Sequence, residues 1–198
     1  MTNFYSAVET RRSIYAISKE QTVSDERIQE VVEFAVKHAP TAFNSQSGRT
    51  IVLLGQQHDE LWDLTKDTLR EIVPANQFGP TEEKMEMFKA GYGTILFFED
   101  EAVVKGLQES FPTYADNFPL WSMQSSGMLQ YIVWTALEQE GFGATLQHYN
   151  PLIDEKVRAK WNVPGNWKLM SQMPFGKPVA PAGDKEFQPM NERVKVFK

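Results

Sequence analysis

From Pro119 to Gly141 the chain reads PLWSMQSSGMLQYIVWTALEQEG, a helical stretch with apolar residues on most sides of a 3.6-residue wheel. A helix patterned this way belongs in the centre of the molecule or at a subunit interface, and Ser125, Ser126 and Gly127 cut a small-residue notch into it. The other elements must be arranged around it. The 198 residues suffice to build a full core, and the length favours one domain over residues 1–198.

Between Ser24 and Ala39, Ile28, Val31, Val32, Ala35 and Val36 recur at three- and four-residue steps after a Ser24 N-cap with Asp25 and Glu26 in the first turn, which predicts an amphipathic helix. Phe4, Ala7 and Val8 predict a shorter helix before it, with TRRS (10–13) near its C-terminal end. TIVLL (50–54) and TILFF (94–98) are short, bounded and rich in β-branched or aromatic residues, as strands buried on both faces are. Leu61, Leu64, Leu69 and Ile72 mark a helix between them, and Thr81 opens another. GFGATLQHYNP (141–151) predicts a turn and a short strand, with Asn150 and Pro151 as N-cap and first residue of a further helix. WKLMSQMPFG and the final RVKVF have strand patterns. The expected architecture is one α+β domain, helices around a mixed sheet, without internal repeats.

Lys and Arg (20) against Asp and Glu (26) give a net charge of −6, which disfavours general affinity for nucleic acid or an anionic membrane. With no cysteine, disulfides, thiolate nucleophiles and Cys-ligated metal are excluded. MTNFYSAVETRRS lacks the apolar core of a secretory signal and TILFF is too short to span a bilayer, so a cytoplasmic location is expected. There is no P-loop, G-x-G-x-x-G, G-x-S-x-G or H-E-x-x-H, and His38, His58 and His148 fall in separate segments without ligand spacing. No catalytic or metal constellation stands out. A chain without one can still do chemistry if a cofactor brings it and the chain binds and orients that cofactor.

Three segments offer binding groups. TRRS sets two guanidiniums and a hydroxyl side by side, suited to phosphate, although two arginines at a helix C-terminus also complement its dipole. In PTAFNSQSG (40–48), Thr41, Ser45, Asn44 and Gln46 match a planar ring edged with carbonyl and N–H groups, or else satisfy their own backbone. The glycine-rich GFGATLQHYNP lets backbone approach a flat ligand, while Gly141 is also an ordinary helix terminator.

In this order the segments resemble the FMN-dependent nitroreductase family: an N-terminal RRS, a P-S/T-x-x-N-x-Q loop after the second helix, a long central helix ending in a glycine turn, and a C-terminal G-x-P at Gly176, Lys177 and Pro178. RRSIYAIS, APTAFNSQSGR and LQHYNPLID further resemble the subgroup named for fatty-acid-repression mutants, which includes copper-inducible bacterial nitroreductases. The resemblance implies a nitroreductase-like sandwich, a central mixed or antiparallel sheet flanked by helices, working as a domain-swapped homodimer with FMN at two interface sites. It implies that Arg11, Arg12 and Ser13 hold the phosphate and ribityl end. Thr41, Asn44 and Gln46 would line the isoalloxazine, at least partly from the neighbouring subunit, and Gln147 and His148 would border the ring through their backbone.

For the C-terminal phosphate contact Lys177, Lys185 and Arg193 compete, and spacing favours Lys185. Ser47 and Gly48 stand where the family usually has Pro-Trp, at the substrate-facing edge. The implied activity is ping-pong reduction of nitroaromatics, quinones or similar acceptors by NADH or NADPH in a cytoplasmic, stress-related role; the alternatives are a flavin-binding sensor and a dimeric interaction domain. Phe111, Tyr114, Phe118 and Trp121 either border the pocket or, for most of them, fill the core.

Overall fold

A computed structural model describes residues 3–198. Its frame is an antiparallel sheet in the order β1-β5-β3-β2, formed by β1 (Ile17–Ser18), β2 (Gly48–Leu54), β3 (Gly93–Asp100) and β5 (Trp167–Pro178), with β4 (Gly143–Ala144) also paired to β5. The named strands pair antiparallel, and a parallel bridge joins Ser13 to Ala144. In β2 and β3 the register runs from Gly48 opposite Glu99 to Leu54 opposite Gly93.

β3 is buried along its length and sorts its side chains by the period of two. Ile95 and Phe97 pack with Ile28, Val31, Val32 and Ala35 of α2 (Asp25–His38) and with Leu129, Val133 and Leu137 of α6 (Phe118–Gln139). Leu96 and Phe98 turn the other way, onto Leu61 and Trp62 of α3 (Gln56–Arg70) and Met85 and Phe88 of α4 (Gly79–Lys89). Helices thus cover both faces. Each fully buried side chain of this kind contributes roughly 1.5–3 kcal/mol by its removal from water.

α2 begins where its cap pattern predicts, the Ser24 hydroxyl accepting from Arg27 N at 3.2 Å. α1 (Phe4–Thr10) is closed at its N-terminus by the Asn3 side chain, which accepts from Ser6 N at 2.9 Å. α4 opens at Gly79, two residues before Thr81, with Pro80 in its first turn. Gly176 has a steric reason: a Cβ there would come within 2.5 Å of Ser18 O and 3.0 Å of Tyr92 N, where β1 pairs alongside β5.

Two sequence expectations fail. The Asn150–Pro151 bond is cis, and α7 (Asp154–Trp161) starts only at Asp154; the Asn150 side chain accepts from Gln172 Nε2 at 3.4 Å instead of capping a helix. RVKVF is not a strand: α8 (Met190–Arg193) is one helical turn, and Val194, Val196 and Phe197 after it are exposed. α6 is central along one side, with Leu129, Val133 and Leu137 buried, and leaves Leu120, Met123, Met128 and Tyr131 exposed on the other. Among the described residues no helix is long and apolar enough to cross a membrane.

Candidate functional site

The sequence-predicted residues fall into two groups that adjoin opposite ends of α6. At the C-terminal end the Arg11 guanidinium lies over the Trp134 ring, 4.5 Å from its centroid, and 5.8 Å from that of Tyr131. Its Nε is buried and has no hydrogen-bond partner. Arg12 Nη2 donates to Gly183 O at 2.6 Å, which draws in the segment that carries Lys185 two residues later. Ser13 is exposed and its neighbour Ile14 donates to Ala144 O at 3.0 Å, fixing the RRS strip along β4.

Gln147 and Gln172 exchange backbone hydrogen bonds of 2.7 and 2.9 Å, which sets Gln147 and the exposed His148 on the same flank of β5 as Ser13. The fully buried Gln172 side chain accepts from Tyr149 N at 2.7 Å and donates to Asn150 Oδ1, so one amide supports the whole turn. Sequence reasoning missed Gln172. A polar residue at a buried position of the strand pattern WKLMSQMPFG was the available signal. Of the other C-terminal cations, Lys177 is paired with Glu20 and Arg193 lies in α8.

Thr41, Asn44 and Gln46 lie at the other end of α6. The loop closes on itself: Thr41 O accepts from Asn44 N at 3.1 Å, the Thr41 hydroxyl accepts from Gln46 N at 3.1 Å, and Arg49 Nη1 donates to Gln46 O at 2.6 Å. These bonds use backbone, the Thr41 hydroxyl and Arg49, and leave the exposed Asn44 and Gln46 amides outside them. Phe43, Asn44 and Gln46 have φ of 56°, 51° and 49°. A left-handed Phe is costly. Its ring is held by Phe111, Phe118 and Trp121, with centroids at 4.9, 5.3 and 6.2 Å. Of the four aromatics, only Phe118 is core: Phe111 and Tyr114 are 41% and 45% exposed, and with Trp121 they form the shelf on which Phe43 rests.

Thirteen residues of helix separate Trp121 from Trp134, a span of about 20 Å. Beside the loop, a cavity of about 530 Å³ opens between α2, β2 and α6, lined by Thr41, Gln46, Gly48, Glu99, Leu129 and Trp167 among others. Burial raises the pKa of Glu99, against the serine hydroxyls of 47 and 122 and Arg49, which lower it.

The nitroreductase family model matches residues 8–177. The chain belongs to the nitroreductase family. Nitroreductase CinD from Lactococcus lactis, solved in complex with chloramphenicol and with 4-nitrophenol, is 48% identical with a TM-score of 0.91, over 99% of this chain and 100% of that one. HBN1 of Saccharomyces cerevisiae is 37% identical over 100% of this chain and 98% of its own length. A nitroreductase-fold protein of Exiguobacterium sibiricum, solved with FMN, shares the fold at a TM-score of 0.73 and 15% identity, covering 100% of this chain and 98% of that one. The antiparallel sheet flanked by helices is thus a nitroreductase fold, and membership suggests an oxidoreductase.

Proposed function

We propose that this nitroreductase-family chain is an FMN-dependent NAD(P)H oxidoreductase that reduces nitroaromatics, quinones or similar acceptors in a ping-pong cycle. It would act as a domain-swapped homodimer of one-domain protomers with two shared sites. The observation that carries this is the division of the binding residues between the two ends of α6. The exposed Leu120, Met123, Met128 and Tyr131 lie along the same helix. Two copies meeting there with α6 antiparallel would set the Arg11–Gln147 group of one against the Thr41–Gln46 group of the other.

The residues fit FMN chemically. Arg11 offers a buried, unpartnered N–H, and Arg12, Ser13 and Lys185 add donors suited to a phosphate. The free amides of Asn44 and Gln46 suit the edge of a ring with alternating donors and acceptors. The turn held by Gln172 would present the Gln147–His148 backbone to the ring. When bound, FMN would supply the electron transfer between a nicotinamide and an acceptor. The protein's part is to fix the ring between two subunits, to place positive charge near it, and to keep one face open. The nitroaromatic class is carried over from CinD, 48% identical along almost the whole chain. The strings RRSIYAIS and LQHYNPLID support placement in the fatty-acid-repression-mutant-like subgroup.

The visible spectrum of the purified protein tests this. Flavin bands that bleach on anaerobic addition of NADH or NADPH, and return with 4-nitrophenol, are expected. Protein that stays colourless when supplied with FMN would refute the proposal, and flavin bands that neither nicotinamide bleaches would leave a sensor.

A further inference from the structure

We propose that Arg49 is a positioning residue: from β2 it holds the carbonyls on either side of Ser47 and so keeps the Gln46 side-chain amide aimed at the flavin ring. This role rests on the flavin reading above and falls to a residue outside the binding groups. Arg49 touches the loop only through backbone oxygens, Nη1 donating to Gln46 O at 2.6 Å and to Gly48 O at 3.0 Å. Its other arm, Nη2, donates to Asp100 Oδ2 at 2.9 Å. The guanidinium carbon lies 5.7 Å from the centre of the Trp167 ring. One planar group is thus fixed by a carboxylate, two carbonyls and an aromatic ring.

The loop needs such a hold. Gln46 has a φ of 49°, in the left-handed region that residues with a Cβ adopt only where their surroundings impose it. For Phe43 the aromatic shelf imposes it. Gln46 is exposed, and its backbone is held by the Thr41 hydroxyl on its N–H at 3.1 Å and by Arg49 on its carbonyl. Ser47 and Gly48 bring no ring or bulky side chain to stiffen the bonds that follow. Ser47 O instead accepts from Asp100 N at 2.9 Å. Asp100 is only 7% exposed, and its Oδ1 accepts from Asn166 Nδ2 at 2.5 Å and from Ala102 N at 3.1 Å. The anchor therefore comes from the end of β3, the first turn of α5 (Glu101–Ser110) and the turn before β5, all outside the loop. Release of the Gln46 carbonyl would let this residue return to a right-handed or extended backbone, which swings its Cα–Cβ bond and the amide beyond it to a new direction. Asp100 balances the guanidinium charge, so Arg49 acts by geometry. A lysine, one ammonium on a flexible stem, does not reproduce the planar fork.

A double-mutant cycle tests this, with FMN titrated into the full-length protein stripped of flavin. Arg49→Lys should raise the dissociation constant about tenfold and Gln46→Ala by a similar factor, while the two together should add no more than about twofold to either, since both remove one contact. The visible bands of bound FMN should shift in the same sense in both single variants. Asp100→Asn keeps an oxygen for Asn166 and Ala102 but sets a donor against Nη2, so it should reproduce the effect, and it decides if Arg49→Lys does not fold. Unchanged affinity would leave Arg49 without this role, and losses that multiply to about a hundredfold in the double variant would make it a general support of the fold; either overturns the proposal alone. A parent protein that takes up no FMN would overturn the flavin reading and this role with it.

Discussion

His58 is fully buried in α3, with Nε2 facing Lys89 O at 3.2 Å and Nδ1 facing the Thr94 hydroxyl at 2.8 Å. Trp62 Nε1 donates to the same hydroxyl at 2.9 Å, so the Thr94 proton is free to go to Nδ1, and the imidazole is satisfied neutral with Nε2–H donating to Lys89. Burial lowers its pKa from 6.5 to about 4. Above pH 6.5 the ring is neutral in both folded and unfolded chains and costs nothing. As pH falls towards 4 the unfolded chain takes up a proton that the folded one refuses, so stability declines by on the order of 3 kcal/mol across that window. Denaturant titrations at pH 7 and 4.5 check this: His58→Gln should lower stability at pH 7 by about 1 kcal/mol and show a shallower loss on acidification than the parent. Equal losses in both proteins would remove His58 as the cause. At this scale the sequence was least legible. His58 and Glu99 looked like scattered ionisable residues, because what distinguishes each is a partner 36 or 23 positions away. The charge ending the apolar TILFF run was the one visible sign of Glu99.

The elements themselves were more legible. α2 and α3 follow from 3.6-residue spacing, α6 from a long apolar stretch, and β2, β3 and β5 from apolar or alternating runs, because each of these patterns is local in the chain. What spacing did not disclose depends on long-range contacts: the two-residue β1 and β4 exist only as partners of β5, and the Asn150 side chain turns to Gln172 rather than to a helix terminus. RVKVF is the instructive failure. It has a strand's alternation, yet Val194 and Val196 are 60% and 72% exposed, and β2 forms the outer strand of the sheet. In a domain-swapped dimer the tail of one copy would pair along such an edge on the other, as edge strands invite. Replacing both valines with Asp, Val194→Asp and Val196→Asp, should then weaken dimerisation about tenfold or more, measured as a rising monomer fraction in sedimentation velocity. An unchanged mass distribution would place the tail outside the interface.

Across the whole molecule, the binding residues named from sequence fall into two groups, with Arg11 against Tyr131 and Trp134 of α6 and the Thr41–Gln46 loop resting its Phe43 on Trp121 towards the other end. The spacing of motifs along a chain could not reveal this, since it ranks residues by order and not by the end of a helix they adjoin. If the flavin site is shared, each half must come from a different copy, and two defective proteins can repair one another. Arg11→Ala with Arg12→Ala removes one half, and Asn44→Ala with Gln46→Ala the other. Each variant alone should lose FMN. The decisive measurement is the flavin content of a heterodimer purified from the two variants by separate affinity tags. The account predicts one FMN per heterodimer, because one of its two sites receives both intact halves. A heterodimer as colourless as its parents would contradict it, placing all the binding residues of each site in a single protomer.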